Sequence, residues 1–191
     1  VRELGATRCA IAGGDLGRGR EISITAAVTG DLAGTAPLLR SGARVGDVVA
    51  VCGILGAGAA GLALLESARD PPAWSIREAE LVSLQARPRP PLNAGPAAAA
   101  AGATAMMDLS DGLGRDGGRL AAASSLSLAL ESALLADDVL ALGAVASDLG
   151  VQAISWVLGG GEDHGLLATF GPDTELPAGF RRIGAAVDGP A

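Results

Sequence analysis

Three carboxylates and one hydroxyl are concentrated in residues 108–116, which read DLSDGLGRD. The segment directly follows an apolar run that ends at Met107, and this pattern predicts a buried strand that gives way to a helix. Carboxylates crowded into one turn repel one another, and a cation or a magnesium-bound phosphate commonly neutralises them. The turn therefore predicts a metal or phosphate site. Helix capping is the alternative, because Ser110 and the aspartates are favoured residues at a helix N-terminus.

Two further turns combine glycine with carboxylates: Gly13-Gly14-Asp15, and residues 159–163, which read GGGED. Glycine lets a backbone approach a ligand closely, and carboxylates bind hard metal ions. Both turns therefore suit a phosphate-bearing ligand with its metal. The alternatives are an ordinary hairpin turn for the first segment and an exposed, charged loop for the second.

Four segments together carry a family resemblance: AGGDLGRG (12–19), LRSGARVGD (39–47), AMMDLSDGL (105–113) and LGGGEDHGLL (158–167). They resemble the thiamine-monophosphate kinases, a family of the aminoimidazole-ribonucleotide-synthetase-like superfamily. The sequences of these segments are most similar to those of the actinobacterial members with high genomic GC content. The resemblance covers nearly the whole chain, from Cys9 to Gly189.

This resemblance implies ATP-dependent phosphorylation of thiamine monophosphate to thiamine diphosphate, with Mg²⁺ as the cofactor and a homodimer as the assembly. It assigns nucleotide contacts to Gly14, Asp15, Arg40 and Ser110, magnesium binding to Asp15, Asp108 and Asp111, and a substrate contact to Glu162. No covalent or acid–base residue is required, because phosphoryl transfer depends on alignment and charge neutralisation. The acceptor is a phosphate that is already ionised at neutral pH.

His164, the single histidine of the chain, invites an acid–base role. Members of the family commonly carry tyrosine at the matching position, so we expect no catalytic role for it. Other departures from the family pattern are Leu16 and Gly17 in place of two threonines, Gly165 in place of glutamate, and Gly117 and Arg119 in place of leucine and histidine. With Leu16 and Gly17 in place of the threonines, any hydroxyl contact from those two positions is lost.

Composition excludes several functional classes. The net charge is −7 and all 14 basic residues are arginine. A protein that binds nucleic acid needs clustered basic residues, and none are clustered here. A Walker A motif requires lysine and is therefore excluded. No stretch approaches the roughly 20 apolar residues of a membrane span, and no secretory leader opens the chain, so we expect a cytoplasmic protein. Cys9 and Cys52 read as buried small apolar residues.

The expected fold class is α+β, with two mixed domains of the superfamily type and the first only partly present. We expect residues 1–36 to be the C-terminal part of an ATP- and magnesium-binding, dimerising domain, and residues 37–191 to form a C-terminal α+β domain. Residues 21–30 alternate in polarity and predict a half-buried strand. Further strands are predicted at 48–52, 166–170 and 182–187, and helices at 56–67, 73–85, 94–101, 112–124 and 137–149.

Two alternatives stay open beside the kinase. One is another ATP-using synthetase of the superfamily, and the other is a truncated, non-catalytic domain that dimerises. Family members carry an additional N-terminal segment with more metal-binding aspartates, and they continue beyond the position of Gly189. We therefore expect this chain alone to show little or no turnover, because a partial set of carboxylates binds magnesium weakly.

Overall fold

The structure, a computed structural model, describes residues 10–32, 34–67 and 74–190, and it divides into two compact units, Val1–Pro37 and Leu38–Ala191. The described residues of the first unit contain no helix and no strand. The strand predicted at residues 21–30 is therefore wrong. Ile22, Ile24 and Val28 are 95%, 89% and 83% exposed. A strand is stable only when a neighbour accepts its hydrogen bonds and covers its apolar face, and none of the described residues does so here.

The second unit is built on a five-stranded sheet whose strand order is β2-β4-β1-β5-β3. Each neighbouring pair is antiparallel. The strands are β1 (Val48–Cys52), β2 (Ala105–Leu109), β3 (Ser127–Leu130), β4 (Gly165–Phe170) and β5 (Phe180–Val187). The helices are α1 (Ala57–Glu66), α2 (Ile76–Ala86), α3 (Ala94–Ala100), α4 (Leu113–Ser124), α5 (Ala136–Asp148) and α6 (Ala153–Gly159), with a 3-10 turn at Ser132–Leu135.

Helices cover the two faces of the sheet unequally. One face carries the larger core, to which α1, α2, α4, α5 and α6 all contribute buried residues. The other face is covered by α3, whose Ala94 and Ala98 pack near Phe170 and Phe180. The two phenylalanine rings meet edge to face at 5.4 Å. Alanine at the α3 contact allows the helix backbone to lie close to the sheet, which explains how a chain poor in aromatic residues forms a packed core.

Local sequence signals account for most of these elements. The β1 segment Val-Val-Ala-Val-Cys is almost fully buried, as an apolar run of strand length predicts. Helix α2 begins later than the predicted residue 73, which lies outside the described residues. Its start is fixed by a capping box, in which Ser75 and Glu78 each bind the other's backbone N–H. Strand β3 and helix α6 were not predicted, because they show neither a clear period nor the uniform alanine composition that indicated the equally short α3.

The fold class prediction is confirmed. The second unit mixes helices with an antiparallel sheet, which is an α+β arrangement. Cys52 is buried, as predicted, whereas Cys9 lies outside the described residues. Among the described helices, none combines the length and the apolar character that a membrane crossing needs.

Candidate functional site

The topology of the sheet brings three loops to one end. Strand β4 lies between β2 and β1 and runs antiparallel to both, so that Leu109 pairs with Gly165 and Cys52 pairs with Leu166. Three loops must therefore meet at the same end of the sheet: the one that leaves β2, the one that leaves β1 and the one that enters β4. We call these the β2–α4 turn (110–112), the β1–α1 turn (53–56) and the β4 entry loop (160–164).

An ion-pair network organises the β2–α4 turn. Asp116 is completely buried, and its Oδ2 accepts the backbone N–H of Asp111 at 2.8 Å. Arg119 Nη1 binds Asp116 Oδ1 at 2.8 Å and Asp111 Oδ2 at 2.7 Å. The hydrogen bond to Asp111 raises the pKa of Arg119 above its usual value. Asp116 therefore has a structural role, because it fixes the backbone of the turn.

The capping alternative is not what holds this turn. The N-cap residue of α4 is Gly112, and no side chain caps the helix there. The side chains of Ser110 and Asp111 are thus not engaged as helix caps, and Asp111 is half-exposed. Gly112 has φ 103° and ψ 151°, a conformation that is almost restricted to glycine. The sharp change of chain direction after β2 therefore depends on this glycine.

The β4 entry loop packs backbone to backbone against the β2–α4 turn. The N–H of Glu162 donates to the Ser110 carbonyl at 2.8 Å, and the N–H of His164 donates to the Leu109 carbonyl at 3.0 Å. A Cβ atom placed on Gly161 would lie 2.6 Å from the Ser110 carbonyl oxygen. Glycine at this position is what permits the close approach. The two acidic motifs, about fifty residues apart in sequence, thus form one continuous surface.

Asp163 points in the opposite direction, into the start of α1. Its Oδ2 accepts the N–H of Gly56 at 2.5 Å, and its Oδ1 accepts the N–H of Gly58 at 2.7 Å. Burial raises the pKa of Asp163 above its usual value, although the backbone N–H groups of Gly58, Gly56 and Ala57 act in the opposite direction. Part of the alternative reading of this motif, an exposed charged loop, is therefore wrong, because Asp163 is half-buried and fully bonded.

Glu162 and His164, the two neighbours of Asp163, both have left-handed backbone conformations, with φ 68° and φ 52°. Such conformations are strained for residues other than glycine, and they cluster at functional sites where the surrounding structure holds them. The exposed Glu162 Oε2 lies 3.2 Å from His164 Nε2. The loop therefore presents a carboxylate and an imidazole together at the surface.

The structure brings some of the predicted site residues together and leaves others apart. Ser110, Asp111 and Glu162 lie on contacting loops, and Asp108 is exposed on β2 immediately before them. Arg40 is exposed, and its carbonyl accepts Ser124 Oγ at the far end of α4. Twelve residues of helix, about 18 Å, separate that end from the β2–α4 turn.

Gly14 and Asp15 belong to the first unit, where both are exposed. The Asp15 Oδ1 accepts the backbone N–H of Leu16 at 2.9 Å.

Two residues of the site were not predicted from the sequence. Arg119 was noted only as a departure from the family pattern, although its three-residue spacing from Asp116 could have indicated an ion pair. Asp163 has a weaker signal. No Ser, Thr, Asp or Asn occupies residues 53–56 before α1, and a helix start without a local cap requires an acceptor from elsewhere.

The oxygen donors of this surface suit a hard divalent cation. Magnesium is usually held by one or two protein carboxylates together with water and substrate phosphates, rather than by an all-protein cage. Asp108 and Asp111 supply carboxylates of that kind at the β2–α4 turn. Within residues 10–32, 34–67 and 74–190, no three His, Cys, Asp or Glu side chains converge into a larger cluster. Carboxylates of this kind fit a magnesium ion that shares its coordination with water and a phosphate ligand.

Sequence comparison relates the chain to characterised enzymes. It is 47% identical over 193 aligned positions to the thiamine-monophosphate kinase of Mycobacterium tuberculosis (strain ATCC 25618 / H37Rv), which covers 99% of the chain and 54% of that protein. The thiamine-monophosphate kinase of Corynebacterium glutamicum is 41% identical over 177 positions, which cover 91% of the chain and 52% of that protein. The chain thus spans about half the length of these relatives. No protein-family model matches it.

Solved structures give the same relationship. The thiamine monophosphate kinase of Aquifex aeolicus superposes with a TM-score of 0.69 at 33% identity, over 80% of the chain and 50% of that structure. The AaThiL complex with AMPPCP and TMP superposes with a TM-score of 0.67 at 31% identity, over 81% of the chain and 49% of that structure. The Escherichia coli hydrogenase maturation protein HypE shares the fold alone, with a TM-score of 0.53 at 17% identity. The neighbours share the aminoimidazole-ribonucleotide-synthetase-like fold.

Proposed function

We propose that this chain is part of an enzyme that transfers the γ-phosphoryl group of ATP to thiamine monophosphate. The chain is homologous, over nearly all of its length, to about half of each thiamine-monophosphate kinase cited above. The observation that carries this proposal is the contact between the β2–α4 turn and the β4 entry loop. Two of the motifs on which the family resemblance rests lie side by side there, joined by the Glu162–Ser110 backbone hydrogen bond. The complex of a structural neighbour with AMPPCP and TMP supports both substrates.

We assign the nucleotide and metal to the β2–α4 side of this surface. Ser110 contacts the ATP phosphates, and Asp108 and Asp111 hold Mg²⁺, which neutralises phosphate charge when it is bound. The family resemblance also assigns Gly14 and Asp15 to the nucleotide, Asp15 to Mg²⁺, and Arg40 as a cation for the nucleotide. The support is that Asp108 is exposed, that Asp111 is half-exposed, and that no side chain of the turn caps α4.

The β4 entry loop is assigned to thiamine monophosphate, which Glu162 contacts. The fixed backbone of the two loops sets the distance between donor and acceptor, and such alignment is the main requirement of phosphoryl transfer. The acceptor phosphate is already ionised, so His164 has no proton to remove. Residues 1–36 are proposed to belong to the ATP-binding, dimerising domain and residues 37–191 to the second domain of a cytoplasmic homodimer.

The test is a phosphorylation assay on a protein that contains this chain and has the full length of the family members. The protein is incubated with ATP, Mg²⁺ and thiamine monophosphate, and thiamine diphosphate is separated by chromatography. Thiamine without its phosphate is the control acceptor and should give no product. Production of thiamine diphosphate that requires both ATP and the phosphorylated acceptor supports the proposal. Absence of that product from a folded protein refutes it.

A further inference from the structure

We propose that Asp163 is a positioning residue, which sets the place of Glu162 relative to Ser110 by anchoring the β4 entry loop to the start of α1. The inference rests on the proposed function, since it concerns the contact of Glu162 with thiamine monophosphate. Asp163 itself faces away from the exposed surface, and its two carboxylate oxygens bind Gly56 and Gly58. It therefore acts on the substrate through its neighbour.

The first step of the argument concerns the start of α1. The N-cap residue is Gly56, which has φ 79° and has no side chain to accept the free N–H groups of the first turn. Asp163 supplies the missing acceptor from 107 residues away in sequence. A carboxylate at a helix N-terminus is also favoured by the helix dipole. The interaction is therefore a strong tertiary anchor rather than a surface contact.

The second step concerns the position of this anchor in the loop. Glu162 and His164 flank Asp163 on the other side: the Glu162 N–H binds Ser110 of the β2–α4 turn, and the His164 N–H binds Leu109 at the end of β2. The three consecutive residues therefore bind the turn, the start of α1 and the end of β2 in succession. Because Glu162 and His164 both have left-handed backbones, the loop needs fixed contacts on both sides to keep this shape.

The third step concerns how little room the anchor leaves. A Cβ atom on Gly58 would lie 2.7 Å from the Gly161 carbonyl oxygen, and one on Gly160 would lie 3.2 Å from Gly56 Cα. The loop and the helix start are therefore packed backbone to backbone. When the Asp163 bonds are lost, the loop moves away from α1, and this movement changes the distance between Glu162 and Ser110.

Asn at position 163 is the sharpest perturbation, because it keeps the shape of Asp163 and replaces one oxygen by an NH2 group. Both oxygens accept N–H groups, so that the NH2 group must face a donor in either orientation. Asp138→Asn is the matched control. Asp138 is another partly buried carboxylate whose two oxygens both accept hydrogen bonds, here from Arg181 Nη2 at 2.7 and 2.8 Å. This contact joins α5 to β5.

The experiment compares Asp163→Asn, Asp138→Asn and the unchanged protein. Each is a protein that contains this chain and has the full length of the family members. We expect Asp163→Asn to raise the KM for thiamine monophosphate about tenfold while the KM for ATP changes by less than about twofold, because a small displacement acts on the nearest substrate contact. Asp138→Asn should lower the melting temperature and leave both KM values unchanged. Equal KM values for thiamine monophosphate in the two variants would overturn the inference.

Hydrogen exchange separates this inference from the proposed function. In the 191-residue chain, Asp163→Asn should accelerate exchange of the Glu162 and His164 amides, whereas Asp138→Asn should not. If the unchanged protein makes no thiamine diphosphate, the proposed function fails, and unchanged exchange at these amides would overturn the anchoring role as well. Should the asparagine variant fail to fold, Asp163→Ser retains one acceptor oxygen and is measured in its place.

Discussion

Gly112→Ala should separate the two loops of the site and destabilise the chain strongly. Gly112 has φ 103° and ψ 151°, and a non-glycine residue in this region costs about 1–3 kcal/mol. The added Cβ would lie 2.9 Å from the carbonyl carbon and oxygen of Gly159 and 3.0 Å from the oxygen of Gly160. These are backbone atoms that cannot rotate away, and such overpacking costs about 1–3 kcal/mol more.

The lower entropy of the unfolded chain with alanine offsets about 0.4–1 kcal/mol of this cost. The expected net loss is therefore about 2–5 kcal/mol. This is a large part of the free energy of unfolding of a typical folded protein, which is roughly 5–15 kcal/mol. Urea denaturation of the 191-residue chain measures this difference through the shift of the midpoint at constant slope.

Gly118→Ala in the same helix is the matched control. Gly118 is exposed in the interior of α4, and a Cβ placed there meets no atom within 4 Å. Alanine is the better helix former, so that this variant should be more stable by about 0.5–1 kcal/mol. The same substitution is thus expected to act in opposite directions at two positions six residues apart. A Gly112→Ala chain as stable as the unchanged one would refute the backbone packing argued for the two loops.

Three further predictions concern the site and one of its supporting helices. In a full-length protein of the family, Asp108→Asn and Asp111→Asn should each lower turnover by at least about a hundredfold in a coupled ADP assay at saturating Mg²⁺, because each removes a charge that holds the metal; turnover close to that of the unchanged protein would exclude them as metal ligands. His164→Asn should leave turnover unchanged, since asparagine tolerates the left-handed backbone and no imidazole is required; loss of turnover with an unchanged circular dichroism spectrum would contradict this. Ser75→Ala should lower the stability by about 1 kcal/mol in urea denaturation and leave turnover intact, because it removes only the cap of α2; an effect on turnover would show that α2 influences the site.

The elements that the sequence predicted well are those with a strong local signal. Strand β1 is an apolar run of strand length, and α1 is an Ala/Leu segment bounded by Gly56 and Ser67. The local signal is enough to indicate each element, although β1 pairs with β4 and β5 and the start of α1 binds Asp163. Residues 21–30 show the limit of this reasoning, because alternation of polarity indicates only that a strand can form. Among the described residues no neighbouring strand pairs with it, and the segment is exposed and has no regular secondary structure.

The residue types and spacing in DLSDG and GGGED predict oxygen donors on turns that a ligand can approach. The substrates that the resemblance assigns to these turns stay predictions. The order of the chain does not reveal that these two motifs touch. That contact follows from strand order, because β4 runs antiparallel beside β2 and places the start of one strand at the end of the other.

The roles of individual carboxylates were decided only by the tertiary structure. In the sequence Glu162 and Asp163 are adjacent and equally acidic, yet one is exposed and the other is bonded to the start of a helix more than a hundred residues away. Asp111 and Asp116 divide in the same manner between a half-exposed turn and a buried position. The sequence by itself determines which groups are present and which local conformations they favour. Burial and distant hydrogen-bond donors determine which carboxylates hold the fold and which remain exposed, because both arise only when separate segments pack together.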